Sequence, residues 1–173
     1  MDKILIFDNF LEAFEIEEII KIIKENKWDW GHTSNGVNKY ETPFWSMTLN
    51  DFEFLSKYIK KIIEKTVGKN LNLLTVYANG QTFGQDGTFH TDYDEPNYYT
   101  FCLYVSNIEK NYVDIAGGYI NFKLPDTKAI ICFEPLFNRG IFFPSNYIHK
   151  STSFYRYIMD LRIVVSWKFI ECI

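Results

Sequence analysis

From residue 71 onward the chain is written in short apolar runs separated by Gly, Pro and Asn: 71–78, 98–106, 118–122, 129–133, 140–143 and 160–169. Runs of that length, closed by turn formers, predict short strands in an antiparallel sandwich or jelly roll. Asn79-Gly80 is a hairpin signal, with a return strand expected at 81–83. The aromatic share of 18 % suits such a fold, because large rings pack well on pleated, half-buried surfaces. The last run reads Asp-Leu-Arg-Ile-Val-Val-Ser-Trp-Lys-Phe. Strand residues alternate between faces. Leu161, Ile163, Val165, Trp167 and Phe169 therefore share one face, and Arg162, Val164 and Ser166 the other. If both faces are covered, the Arg162 guanidinium requires an anionic partner. Its planar fork pairs bidentately with a carboxylate.

The second constraint is Phe83-Gly84-Gln85-Asp86-Gly87-Thr88-Phe89-His90-Thr91-Asp92, a glycine-rich turn leading into His-x-Asp. On an extended segment His90 and Asp92 point the same way and can grip one ion together. They supply two members of a 2-His-1-carboxylate face, which leaves coordination positions open on non-haem Fe(II). The third ligand must come from elsewhere, and of the two remaining histidines His149 lies downstream, ahead of Arg162. Zinc favours closed sites richer in Cys or His. His32, in a segment with no clear period, has no partner spacing and is read as an exposed loop residue.

In this order (His-x-Asp, distal His149, then Arg162 in an apolar strand) the sequence resembles the Fe(II)/2-oxoglutarate-dependent dioxygenases, in particular their prolyl-4-hydroxylase-like branch. Gly117-Gly118-Tyr119-Ile120-Asn121-Phe122 matches that family's Gly-Gly-x-x-x-Phe pattern, and the likeness runs from about residue 71 to residue 169. The resemblance implies a mostly β chain: a double-stranded β-helix (jelly roll) with N-terminal supporting helices outside it. It also implies Fe(II) on His90, Asp92 and His149, and 2-oxoglutarate with its distal carboxylate on Arg162. Tyr77 and Tyr104 match positions where the family places a tyrosine hydroxyl on the cosubstrate, and Ser166 can add a hydrogen bond. The reaction implied uses O2 to oxidise a peptide or small-molecule substrate, releasing succinate and carbon dioxide. Asp92 itself favours hydroxylation, since related halogenases carry a small residue there. Collagen-type prolyl hydroxylases place a lysine nearer the distal histidine than Arg162 stands here. Prolyl specificity is therefore an open expectation, and loops at 31–43 and 94–97 are expected to recognise the substrate.

The N-terminal part reads differently. A short strand is expected at 3–7. A helix follows to about residue 27, capped by Asp8 or Asn9, with Leu11, Phe14, Ile19, Ile22 and Ile23 on its buried face. A second helix is expected to begin at Asn50 with Glu53 reaching back and Leu49 stapled on Phe54, and to stop at Gly68. With 173 residues and 47 % hydrophobic content, one domain is expected, 1–70 as helical support and 71–173 as jelly-roll core. A net charge of −4 gives no footprint for nucleic acid, which weighs against a nucleic-acid demethylase on the same fold. A non-catalytic jelly-roll binding module is the alternative from another class. No apolar run reaches membrane-spanning length and no basic leader is seen. The three cysteines are odd in number and widely spaced, so a reduced, cytoplasmic protein is expected.

Overall fold

The computed structural model describes residues 4–35, 41–108, 112–124, 127 and 129–172. In chain order its elements are β1 (Leu5–Phe7), α1 (Ala13–Glu25), β2 (Asp29–His32) and β3 (Phe44–Thr48). A π-helical turn (Phe54–Ile59) then runs into α2 (Lys60–Val67). After these come β4 (Leu71–Gln81), β5 (Tyr98–Tyr104), the short α3 (Val113–Ala116), β6 (Ile120–Lys123), β7 (Ile130–Phe133), β8 (Gly140–Pro144), β9 (His149–Ser151) and β10 (Arg162–Glu171). Seven strands form one antiparallel sheet in the order β1-β8-β5-β10-β4-β3-β2, and β7-β6-β9 form a second. This is the jelly-roll arrangement expected from the strand cadence. Among the described residues no helix is long and apolar enough to cross a membrane.

Strand parity sorts the large sheet into two faces. Val76 and Ala78 of β4, Phe101 and Leu103 of β5, Phe142 of β8, and Val165, Trp167 and Phe169 of β10 pack with Ile16, Ile19, Ile23, Leu55, Ile59 and Ile63 from the helices. The opposite faces of β5, β8 and β10 give Cys102, Tyr104, Ile141, Phe143 and Val164, which meet Ile120 and Phe122 of the small sheet. The layers are therefore helices, large sheet, small sheet, and the functional face looks into the gap between the sheets.

Several local expectations are corrected. Neither Asp8 nor Asn9 caps α1: Asp8 pairs with Arg139 (2.5 Å), and Asn9 adopts φ 51°. The Glu15 carboxylate instead accepts the Glu12 N–H (2.8 Å) at the start of the helix. The helix thus begins later, its buried face carries Ile16, and Phe14, two residues off that stripe, is exposed. Asn50 does not cap the second helix either. Its Oδ1 accepts from Val76 N (2.7 Å) and Thr75 Oγ1 (3.2 Å), tying the turn to β4. Gly68 does end α2, in the left-handed region at φ 68°.

Asn79-Gly80 makes no hairpin, and β4 runs straight through it. β3 holds this segment on one side (Trp45↔Gly80) and β10 on the other (Ile163↔Gly80), so continuous pairing overrides the turn propensity. A Cβ on Gly80 would stand 2.7 Å from Leu161 and 3.0 Å from Trp28, so this glycine answers to close packing. The N-terminal segment also contributes strands as well as support, since β1, β2 and β3 all join the large sheet.

Trp167 ties the layers together: it is fully buried, its Nε1–H donates to Leu55 O (3.0 Å), and its ring meets Phe101 edge-on. Trp167→Ala should destabilise the protein by about 3–5 kcal/mol, read as a lowered midpoint in equilibrium chemical denaturation.

Candidate metal and cosubstrate site

His90 and His149 meet through their backbones. His90 N–H donates to His149 O (3.0 Å) and His149 N–H to His90 O (2.9 Å), an isolated antiparallel bridge at the edge of the small sheet. Directly paired residues project to the same face, so the two imidazoles stand side by side with centroids 4.6 Å apart. Asp92 follows on the same side, its N–H donating to Ser145 O (2.9 Å). One ligating atom from each of His90, Asp92 and His149 lies within 4.8 Å of the others. Asp92 Oδ1 is 3.6 Å from His90 Nε2, and Oδ2 is 3.7 Å from His149 Nε2.

The preceding turn is what delivers His90. Asp86 Oδ1 accepts from Ser153 N (2.7 Å) and Ser153 Oγ (2.8 Å), and Gly87 N–H donates to Ser151 O (3.0 Å). A side chain at Gly87 would run into the hydroxyls of Ser34 and Ser151, so the close approach needs glycine.

Both histidines are oriented as ligands. His90 Nδ1 is 2.8 Å from Thr88 O, and His149 Nδ1 is 2.8 Å from Tyr147 O. A carbonyl only accepts, so each Nδ1 carries the proton and each Nε2 lone pair faces the centre. Phe122 and Phe143 wall the His149 ring. Burial lowers the His149 pKa to about 4, despite the attraction of Asp92, which keeps the ring neutral. Burial alone would raise Asp92, but the Lys168 ammonium and the two imidazoles hold it well below the usual carboxylate range. Two imidazoles presenting Nε2 and an ionised carboxylate form a donor set that fits a divalent ion with open positions, and Fe(II) is the redox-active choice.

The site face of β10 carries Arg162, Val164, Ser166 and Lys168 along a cavity of about 190 Å³. Arg162, 2 % exposed, donates from Nε to Gly118 O (2.8 Å), from Nη1 to Gln81 Oε1 (2.8 Å) and from Nη2 to Tyr104 Oη (3.4 Å). All three partners are neutral, so they aim the guanidinium without cancelling its charge. Tyr104 and Tyr77 both line the cavity, from opposite neighbours of β10, and burial raises both phenols, Tyr104 to about 12. Ser166 also lines it, its Oγ 3.5 Å from Cys102 Sγ. The structure thus gathers His90, Asp92, His149, Arg162, Tyr77, Tyr104 and Ser166 around one cavity.

It also adds residues. Lys168 donates to Asp92 Oδ2 and to Thr100 Oγ1 (3.3 Å), while Thr100 Oγ1 donates to Asp92 Oδ2 (2.6 Å) and lies 2.9 Å from Ser145 Oγ. Extending the alternation of Arg162, Val164 and Ser166 by one step would have found Lys168. Thr100 faces it across the β10–β5 pairing, a register the sequence does not show. His32 is corrected: it is exposed, but it stands on β2 at the cavity mouth with Thr33 and Ser34, against Phe44 and Tyr77. Although the residue as a whole is exposed, its ring is partly desolvated against Phe44 and Tyr77, and this, with His90 and Lys168 nearby, lowers its pKa. Of the expected recognition loops, residues 36–40 lie outside the described residues, and 94–97 do not line the cavity.

No family model and no curated protein sequence matches the chain. Solved structures do. A Trichoplax adhaerens prolyl hydroxylase in complex with a hypoxia-inducible-factor peptide is similar at TM-score 0.73 and 13 % identity, over 97 % of this chain and 83 % of that one. The viral collagen prolyl hydroxylase of Paramecium Bursaria Chlorella virus-1, in its 2-oxoglutarate complex, is similar at 0.61 and 18 %, over 98 % and 97 %. HygX of Streptomyces hygroscopicus, with nickel, 2-oxoglutarate and hygromycin B bound, is similar at 0.67 and 10 %, over 96 % and 82 %. The fold is that of the 2-oxoglutarate, Fe(II)-dependent oxygenases. At these identities the likeness is one of fold, and the chemistry rests on the residues this chain places in the cavity.

The buried His149 imposes a pH dependence on the metal-free protein. Its pKa is about 4 folded against 6.5 as a free side chain. Between those values the unfolded chain binds a proton that the folded protein refuses, so stability falls as pH drops. At 1.36 kcal/mol per pH unit the loss is about 3 kcal/mol. Urea unfolding in chelator from pH 7 to pH 4 should show this decline, flattened in His149→Gln.

Proposed function

We propose that this protein is an Fe(II)- and 2-oxoglutarate-dependent oxygenase, acting as one domain and hydroxylating a peptide or small-molecule substrate. The observation that carries the reading is the pairing of two features in one cavity: the convergent His90, Asp92 and His149, and the buried Arg162 whose partners are all neutral. When bound, Fe(II) with 2-oxoglutarate and O2 would supply the oxidising power, releasing succinate and carbon dioxide. His90 and His149 would present Nε2 and Asp92 an oxygen to the iron. Arg162 would clamp the far carboxylate of the cosubstrate, a charge-assisted contact that also satisfies the buried guanidinium. Tyr104, on the same guanidinium, would help to fix that end, while Tyr77 and Ser166 shape the floor. Phe122, Phe143 and Val164 would keep water from the reacting side.

Support for a carboxylate-bearing cosubstrate also comes from the solved relatives that hold 2-oxoglutarate on the same fold. Among the similar solved structures, the Trichoplax adhaerens enzyme holds a peptide and HygX a small molecule, which brackets the substrate class proposed here. The acidic balance of −4 disfavours a nucleic-acid substrate. Free Cys102, Cys132 and Cys172 suit a reducing, cytoplasmic setting.

Arg162→Ala should weaken 2-oxoglutarate binding to the metal-loaded protein by about 30-fold to several thousand-fold, the equivalent of roughly 2–5 kcal/mol. Arg162→Lys should recover part of this, since it restores the charge without the fork. Calorimetric titration of the three proteins checks it, and equal affinities would overturn the Arg162 assignment. His149→Ala should abolish iron-dependent succinate formation from 2-oxoglutarate, measured in the presence of peptide and metabolite mixtures. A wild-type protein that binds iron and cosubstrate yet never yields succinate would be a binding module.

A further inference from the structure

Among the described residues, Lys168 is the one charged group of the cavity that metal and cosubstrate binding, as described, do not employ. It is 6 % exposed, and its ammonium donates to Asp92 Oδ2 and Thr100 Oγ1. The charged residues lining the cavity, among those described, are Asp92, Arg162 and Lys168. Asp92 and Lys168 cancel, so Arg162 leaves one excess positive charge before anything binds. A divalent cation adds two more, and a dianion then removes two.

This arrangement has two physical consequences. In the metal-free protein Asp92 is a buried carboxylate with its counter-ion already in place, and burying it without one would be costly. Lys168 and Thr100 both hold Oδ2, which leaves Oδ1, 3.6 Å from His90 Nε2, free to face the centre. Yet a fixed ammonium beside the metal position repels a divalent ion, and in a poorly solvated cavity that repulsion is weakly screened.

We propose that Lys168 is a positioning residue that acts as the built-in counter-ion of Asp92, holding the ligand ready at the expense of affinity for bare metal and favouring the metal only together with a dianionic cosubstrate. The inference rests on reading His90, Asp92 and His149 as the metal site. It makes metal loading conditional: the site discriminates against a divalent cation alone and accepts a cation accompanied by negative charge.

The test uses Mn(II) as a non-oxidising probe, with affinities measured by competition against a fluorescent chelator and by calorimetry with 2-oxoglutarate. Lys168→Met keeps the bulk and removes the charge. It should bind Mn(II) at least about tenfold more tightly than wild type, because repulsion is relieved and the unpaired Asp92 seeks a cation. The Mn(II)-loaded variant should bind 2-oxoglutarate at least about tenfold more weakly. Lys168→Gln separates charge from hydrogen bonding: it should behave like the Met variant, whereas Lys168→Arg should stay near wild type. Should Lys168→Met fold only with Mn(II) present, its thermal midpoint must rise with Mn(II) more than that of wild type, which supports the counter-ion role. Unchanged or weaker Mn(II) binding in Lys168→Met, or wild-type behaviour in Lys168→Gln, overturns it. If wild type binds no Mn(II) with or without 2-oxoglutarate, the metal-site reading itself fails and this inference falls with it.

Discussion

The structure turns on two backbone hydrogen bonds, those exchanged between His90 and His149. An antiparallel bridge brings opposed side chains to one face, so the imidazoles become neighbours through main-chain geometry. Asp92 reaches the same face two residues later, and its own N–H is anchored to Ser145. The ligand set is therefore a by-product of strand pairing, and the surrounding structure serves to fix the bridge. The turn at Gly84–Gly87 is fastened to Ser151 and Ser153 on the far side of His149, which locks the chain's approach from both ends. A ligand geometry set by backbone pairing tolerates extensive change elsewhere.

The two cations of β10 share a face and have opposite surroundings. Arg162 is ringed by a carbonyl, an amide oxygen and a phenol, which direct a buried positive charge and leave it uncancelled. Lys168, six residues along, is paired with a carboxylate at once. In a low-dielectric gap this difference decides where an anion can settle. An incoming carboxylate gains most at Arg162, because that guanidinium has no competing negative partner among the described residues. The opposite face of the same strand holds Trp167 and Phe169 in the main core, so these charges stand on a strand anchored by buried aromatic packing.

Much of this was legible in the sequence because it depends on parity and order. His90 and Asp92 two residues apart, and Arg162, Val164 and Ser166 on alternate positions, needed only the period of a strand. The strands at 98–106, 129–133 and 140–143 were bounded by turn residues and appear within a few positions of their predicted ends. What failed depended on distant partners. Asn79-Gly80 carries a turn signal that pairing on both sides overrides. Asn50 and Asp8 have the side chains of helix caps, but Val76 and Arg139, far along the chain, claim their oxygens. His32 lacked any spacing signal because β2 joins the sheet only through β3, itself drawn from an aperiodic segment. Thr100 and Gln81 acquire their roles from cross-strand register, which single-sequence periodicity does not contain.

The same distinction indicates where substrate choice is encoded. In the function proposed above, positions fixed by strand parity on β4, β5, β9 and β10 would serve the ion and the cosubstrate. A cavity of about 190 Å³ is below the usual ~300–1,000 Å³ of a ligand pocket. On that proposal, a cosubstrate inside would leave the substrate room for little more than its reacting group, with the rest held outside. At the mouth stand His32, Thr33 and Ser34, on and just after a strand at the edge of the sheet, and a substrate of that kind would meet them there. β2 has no buried residue along its length and no core to satisfy. Its side chains can therefore change with the substrate while the bridge beneath them stays as it is.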